Sequence, residues 1–310
     1  MKICSLVPGA TEVVAALGLQ DNLIGISHEC DFPPSLAQIP VMVRPRIESH
    51  RLSSAEIDKQ VGALLSAGTG LYELDEPRLL AAKPELLIVQ ALCDVCAVTP
   101  SQLEQALHTL SPRPRMVTLS PRRLGDILRD IETLGVTLER AEAGTQLSAT
   151  LRRRLDVVRT LVHTQSTHPR VACLEWLSPL YTAGHWVPDM IAAAGGIDVL
   201  AQAGTASRTV DWDQLAASAP DVIVLMPCGF TIPRTRAELA TVTKHPSWKS
   251  LPAVQKGAVY LVDALSYFSR PGPRLIDGVE QLAAILHPAC YGGHLPASVE
   301  RLELQPTRPD

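Results

Sequence analysis

Cys93-Asp94-Val95-Cys96 is a C-x-x-C pair. That spacing serves a redox dithiol or half of a tetrahedral zinc site. No second pair occurs in the chain, but His28 and Cys30 lie in one polar run, Ser27 to Asp31. Thiolate and imidazole together suit zinc, so His28, Cys30, Cys93 and Cys96 form a candidate metal set, with Zn or Fe as the metals to consider. The competing reading makes them small, half-buried residues on loop walls. A redox dithiol needs a helix N-terminus to lower its thiol pKa. Pro100-Ser101 is expected to delay the next helix to Gln102, which counts against that chemistry. His28 and His185 could each ligate a metal axially, although loop histidines also serve as hydrogen-bonding groups. An enzyme using this Cys/His thiol or metal site is thus one alternative function. No nucleophile elbow, P-loop or zinc-protease motif is present, no catalytic residue is assigned, and a non-enzymatic role is preferred.

The elements that would position these groups alternate. Strands are expected at Ile3–Val7, Leu23–Ile26, Leu86–Val89 and Met116–Leu119, then at Arg170–Leu174, Val222–Met226 and Val259–Val262. Helices fall between them, including Val13–Leu17, Ala55–Ala67 with Ser54 as cap, Pro77–Ala82, Val187–Ala194 and Arg274–Leu286. Val43–Glu48 and the tail after Pro288 read as irregular, and Glu175–Trp186 as a loop. Alternation of this kind implies parallel sheets flanked by helices.

A long amphipathic pattern runs from Gly135 to Thr164. Leu147, Leu151, Leu155, Val158 and Val162 share one face of it. Similar material stands on either side: Leu80 to Val89 matches Leu215 to Val224 with one insertion, and Ala15-Ala16-Leu17-Gly18 matches Ala192-Ala193-Ala194-Gly195. The fold class expected is therefore α/β, with two Rossmann-like lobes, residues 1–134 and 165–310, joined by one backbone helix at residues 135–164.

Ligands of open α/β sheets sit at the carboxyl ends of strands. The side chains so placed are His28, Glu29, Asp31, Tyr72 and Gln90 in the first half. In the second half they are Trp176, Tyr181, His185, Trp186, Phe230, Tyr267 and Arg270. Aromatic residues make up only 4% of the chain, so their recurrence near these loops points to stacking on a flat, apolar ligand face. Core packing is the equal reading for Trp176. Arg270 could pair with a ligand amide or carboxylate, or make only a surface ion pair.

At 310 residues, 46% hydrophobic and 19% charged, the composition is globular and sufficient for two compact units. A net charge of -4 argues against nucleic acid. No run is long enough to span a membrane, so insertion is not expected. Seven scattered cysteines do not make a disulfide framework and fit a reducing compartment. The first apolar run ends at Pro8-Gly9, too soon for a signal peptide. The location expected is cytoplasmic, or periplasmic if a leader was removed.

Ser5-Leu6-Val7-Pro8-Gly9-Ala10-Thr11-Glu12 resembles the first strand and turn of the helical-backbone (class III) substrate-binding proteins, which serve transporters for cobalamin, iron–siderophore and haem. Ser27 to Pro34 resembles their second loop, and Leu80 to Val89 their Leu-Lys-Pro-Asp strand entry. Pro179 to Gly184 and Ser269 to Arg274 resemble two loops of the second lobe. The cobalamin-binding members are the nearest. The resemblance covers residues 3–287. It implies a corrinoid such as cobalamin held in the cleft between lobes, with an ABC permease as partner. An iron–siderophore, haem or metal-ion ligand is the alternative. Two departures stand out. Glu29 occupies the position where the cobalamin binders present an aromatic residue, and Pro77 and Ile197 occupy the docking glutamates, with Glu76 and Asp198 adjacent.

Overall fold

The computed structural model describes residues 1–92, 98 and 100–303. The chain divides into two compact units. Unit 1 comprises Met1–Pro121, Gly125–Leu151 and Pro271–Pro273; unit 2 comprises Arg122–Leu124, Arg152–Arg270 and Arg274–Asp310.

Unit 1 is built on six strands: β1 (Ile3–Ser5), β2 (Leu23–Ser27), β3 (Val41–Pro45), β4 (Tyr72–Leu74), β5 (Leu86–Gln90) and β6 (Arg115–Leu119). They lie in the order β4-β3-β2-β1-β5-β6, all parallel except β4, which runs antiparallel to β3. Leu86, Leu87 and Ile88 have no exposed surface, as expected of a central strand covered on both faces. The stretch expected to be irregular, Val43–Glu48, begins inside β3. Val41-Met42-Val43 carries the β-branched signal, and Pro45 closes the strand. Residues 54–66 form a helix as expected, but Ser53 rather than Ser54 is its cap. Ser53 and Glu56 form a capping box.

Unit 2 holds β7 (Arg170–Leu177), β8 (Leu180–Thr182), β9 (Ile197–Asp198), β10 (Val222–Leu225), β11 (Val259–Val262) and β12 (Val299–Arg301). The order is β12-β11-β10-β7-β8, with β9 also pairing β7. The three central strands are parallel; β8 and β12 are antiparallel edges. Two expectations are corrected here. Glu175–Trp186 is not one loop, because β7 continues to Leu177 and turns back as β8. The tail after Pro288 supplies strand β12.

The long helix is shorter than its pattern. It spans Ala141–His163, and a separate helix, Leu124–Thr137, precedes it. Glu139 takes a left-handed conformation (φ 58°) between the two, and Arg140 N donates to the Gly135 carbonyl at 2.7 Å. Gly135 and Gly144 let the two helices cross. A Cβ on Gly144 would lie 2.9 Å from Gly135 Cα. The first helix thus ends at a left-handed residue, with no proline to mark the stop. Leu151, Leu155, Val158 and Val162 are buried as the period requires. Residues of this helix up to Leu151 group with unit 1, and those from Arg152 with unit 2.

Candidate ligand-binding site

The parallel strands of unit 1 end at a small pocket of about 50 Å³. Leu6 and Pro8 follow β1, Ser27 ends β2, His28 and Glu29 follow it, and Val89 and Gln90 end β5; all line the pocket. Tyr72 joins them because β4 is antiparallel, which brings its first residue to the end of β3, with Tyr72 opposite Pro45. The pocket thus gathers His28, Glu29, Tyr72 and Gln90 from the candidates. Asp31 is exposed and does not line it.

His28 is fixed by β3. Its backbone N–H donates to the Val43 carbonyl at 3.1 Å, and its Nδ1 lies 3.1 Å from the same oxygen. The Ser27 hydroxyl lies 3.4 Å from the same Nδ1. Nε2 lies 3.8 Å from Glu29 Oε1, and the ring stands 5.6 Å from that of Tyr72. No lysine or arginine is among the described residues lining the pocket.

In unit 2 the hairpin makes Trp176 and Tyr181 direct cross-strand partners, so both rings stand on one face of the sheet. Phe230 meets Trp176 edge-on at 5.3 Å, and Arg234 lies over the Phe230 ring at 4.6 Å. Tyr267 ends the short helix Ala264–Tyr267, with Arg274 5.9 Å from its ring. Trp176, Tyr181 and Tyr267 are partly exposed. Trp186 is only 5% exposed, and its Nε1 donates to the Phe268 carbonyl at 2.9 Å. Phe230 and Arg270 are each 5% exposed as well. The stacking role expected of Trp186 is therefore replaced by packing.

His185 occupies a left-handed turn (φ 51°), its backbone N–H donating to Thr205 O at 2.6 Å. Burial, and then the nearby Arg122 charge, hold its pKa below the ordinary value. Glu175, which the sequence placed only on a loop, accepts from Gly184 N at 3.2 Å. Burial raises its pKa against the opposing hydrogen bonds from Ser207 and Gly184. It braces the Gly184–His185 turn.

Two members of the expected metal set, Cys93 and Cys96, lie outside the described residues. Cys30 is 7% exposed, with Sγ 3.1 Å from the Thr11 hydroxyl. Among the described residues, no group of three His, Cys, Asp or Glu is placed to hold a metal ion. Cys4 and Cys173 are also buried free thiols, each with its pKa raised mainly by burial. Buried thiols of this kind are inert, so the cysteine count says little about compartment.

Asp198, beside the displaced docking position, turns its carboxylate inward. Oδ1 accepts from Leu200 N and Ala201 N, both at 2.8 Å, and burial raises its pKa. Ile197 remains exposed.

The periplasmic binding protein pattern matches residues 3–265. The chain belongs to that family. It is 26% identical over 292 residues to a vitamin B12-binding protein of Vibrio cholerae, covering 92% of this chain and 88% of that protein. It is 24% identical over 301 residues to the uncharacterized ABC transporter substrate-binding lipoprotein YvrC of Bacillus subtilis, covering 94% and 81%. The periplasmic haem-binding protein RhuT of Roseiflexus shares its fold, with a TM-score of 0.71 at 21% identity over 93% of this chain and 98% of that one. The resemblance read from the loops is therefore to the right family. These relatives are substrate-binding proteins, and so is this chain; the enzyme alternative is set aside. Membership implies a small-molecule ligand. The expected cytoplasmic location gains no support, since the relatives are periplasmic proteins or lipoproteins. No described helix is long and apolar enough to cross a membrane.

Proposed function

We propose that this protein binds a corrinoid such as cobalamin and delivers it to an ABC permease. The observation that carries this reading is the pocket in unit 1. A site that encloses a drug-sized ligand measures some 300–1,000 Å³, whereas this one offers about 50 Å³. It suits one projecting polar arm of a larger ligand, and a corrin ring carries many such arms. Trp176, Tyr181 and Tyr267 of unit 2 supply partly exposed rings able to stack on a flat macrocycle. The vitamin B12-binding relative from Vibrio cholerae supports the corrinoid class.

Haem is the second reading, favoured by the fold shared with RhuT. Haem also offers a flat face, but its projecting arms are carboxylates. His28 and His185 remain candidate axial contacts under either reading. Quenching of tryptophan emission on titration with cyanocobalamin tests the proposal. Saturable quenching with a Kd at or below about 1 μM is expected, and no binding below about 100 μM would sink the corrinoid claim.

A further inference from the structure

The unit 1 sheet ends at β6, which pairs with β5 on one side and with no described strand on the other. Arg115 N donates to the Glu85 carbonyl at 2.9 Å, and Ala91 N donates to the Leu119 carbonyl at 3.0 Å. In a parallel ladder, these bonds turn the N–H and C=O of Arg115, Val117 and Leu119 toward β5. Those of Met116 and Thr118 therefore point outward, with no partner among the described residues. Both of these side chains are exposed, Met116 at 47%. Such an edge is a template for another extended chain. Its charge has one sign. Arg113 and Arg115 are exposed and stand two residues apart, the spacing that puts side chains on one face of an extended chain. Neither makes an ion pair among the described residues. Glu85, the nearby acid at the start of β5, is engaged by the Met1 amine at 3.7 Å and by Lys2 N at 2.6 Å.

We propose that the outer edge of β6 docks an extended acidic segment of a partner protein by strand addition. The segment's backbone bonds the outward N–H and C=O groups of Met116 and Thr118. Its carboxylates, two residues apart, face Arg113 and Arg115, and the apolar side chains between them cover Met116 and Thr118. Main-chain bonds supply affinity in this mode, and alternate side chains choose the partner. A second copy of the edge is a poorer occupant. Residues 111–123 hold four arginines and no Asp or Glu, so a copy brings no countercharge. Pro112 and Pro114 also blunt the edge on its N-terminal side. The inference is independent of the ligand reading, because no residue of β6 is among those lining the unit 1 pocket.

The probe is a fluorescein-labelled heptapeptide of alternating valine and glutamate, compared with one of alternating valine and lysine. Fluorescence anisotropy is followed as the full chain is added at low salt. Saturable binding of the glutamate peptide is expected with a Kd at or below about 100 μM, and the lysine peptide should bind at least about tenfold more weakly. The glutamate peptide N-methylated on every amide should not bind. Thr118→Pro removes one outward N–H and spares every bond to β5, so it should weaken binding by about tenfold or more. Arg113→Glu combined with Arg115→Glu should reverse the preference toward the lysine peptide. Circular dichroism of both variants checks that they fold. Equal binding of the two peptides, no binding below about 1 mM, or binding that survives N-methylation overturns the proposal. So does a preference unchanged in the folded double variant. Dimers in analytical ultracentrifugation that the glutamate peptide does not dissociate would assign the edge to a second copy and likewise overturn it.

Discussion

Replacing Gly144 by leucine separates two accounts of the central helical segment. On an exposed strut, Gly→Leu in mid-helix gains roughly 0.8 kcal/mol of helix propensity. In the observed hairpin of helices, the first added carbon would sit 2.9 Å from Gly135 Cα and 3.2 Å from the Ile131 carbonyl oxygen. Both neighbours are backbone, so relief requires the helices to move apart. Overpacking of this kind costs about 1–3 kcal/mol for small insertions, and leucine adds three further carbons beyond the first. The net expectation is a loss of about 2 kcal/mol. For a domain of 150–250 residues, that lowers the melting temperature by about 4–8 °C. Thermal unfolding followed by circular dichroism at 222 nm reads the change as a midpoint shift. A midpoint that is unchanged or raised would refute the close crossing at Gly135 and Gly144.

Further outcomes follow from named contacts. Trp186→Phe should lower stability by about 1–2 kcal/mol, because it strands the Phe268 carbonyl, yet leave cyanocobalamin affinity within about twofold. Trp176→Ala should weaken that affinity by about tenfold, each read by equilibrium dialysis. Asp130 has its carboxyl pKa raised to about 6, by burial first and then by Asp126. The folded chain therefore binds more protons there than the unfolded one, and stability falls as pH rises from about 4 to about 6. Asp130→Asn should flatten that fall and recover about 1–2 kcal/mol at pH 7, discounted for the partial exposure of the group; melting at several pH values checks it. Arg154 pairs with both Asp277 and Glu280. Arg154→Ala should cost about 1–2 kcal/mol in urea unfolding, with the loss shrinking in high salt.

Much of the fold was written in local pattern. The buried run Leu86–Val89, the strand Val259–Val262 and the face Leu151-Leu155-Val158-Val162 all stand where periodicity places them. What escaped depends on partners distant in sequence. β4 and β12 have three residues each, and pairing with a neighbouring strand, rather than composition, makes each a strand. The break at Glu139 has no proline or glycine at the turn itself. Its trace in the sequence is the pair Gly135 and Gly144, whose meaning appears only when the two helices cross. In the site, His28, Glu29 and Gln90 were legible because they follow or end strands. Ser27 and Val43 were not selected, although the Ser27 hydroxyl and the Val43 carbonyl both lie beside His28 Nδ1. Trp186 and Trp176 looked alike by position. The chain's later turns put one in the core and the other beside Tyr181 on the sheet.

The most direct test of corrinoid binding is a paired equilibrium dialysis of the full chain against cyanocobalamin and hemin under one set of conditions. The account predicts saturable cyanocobalamin binding with a Kd at or below about 1 μM, and hemin binding at least about tenfold weaker. Tight hemin binding with no cyanocobalamin retained at about 100 μM would contradict it.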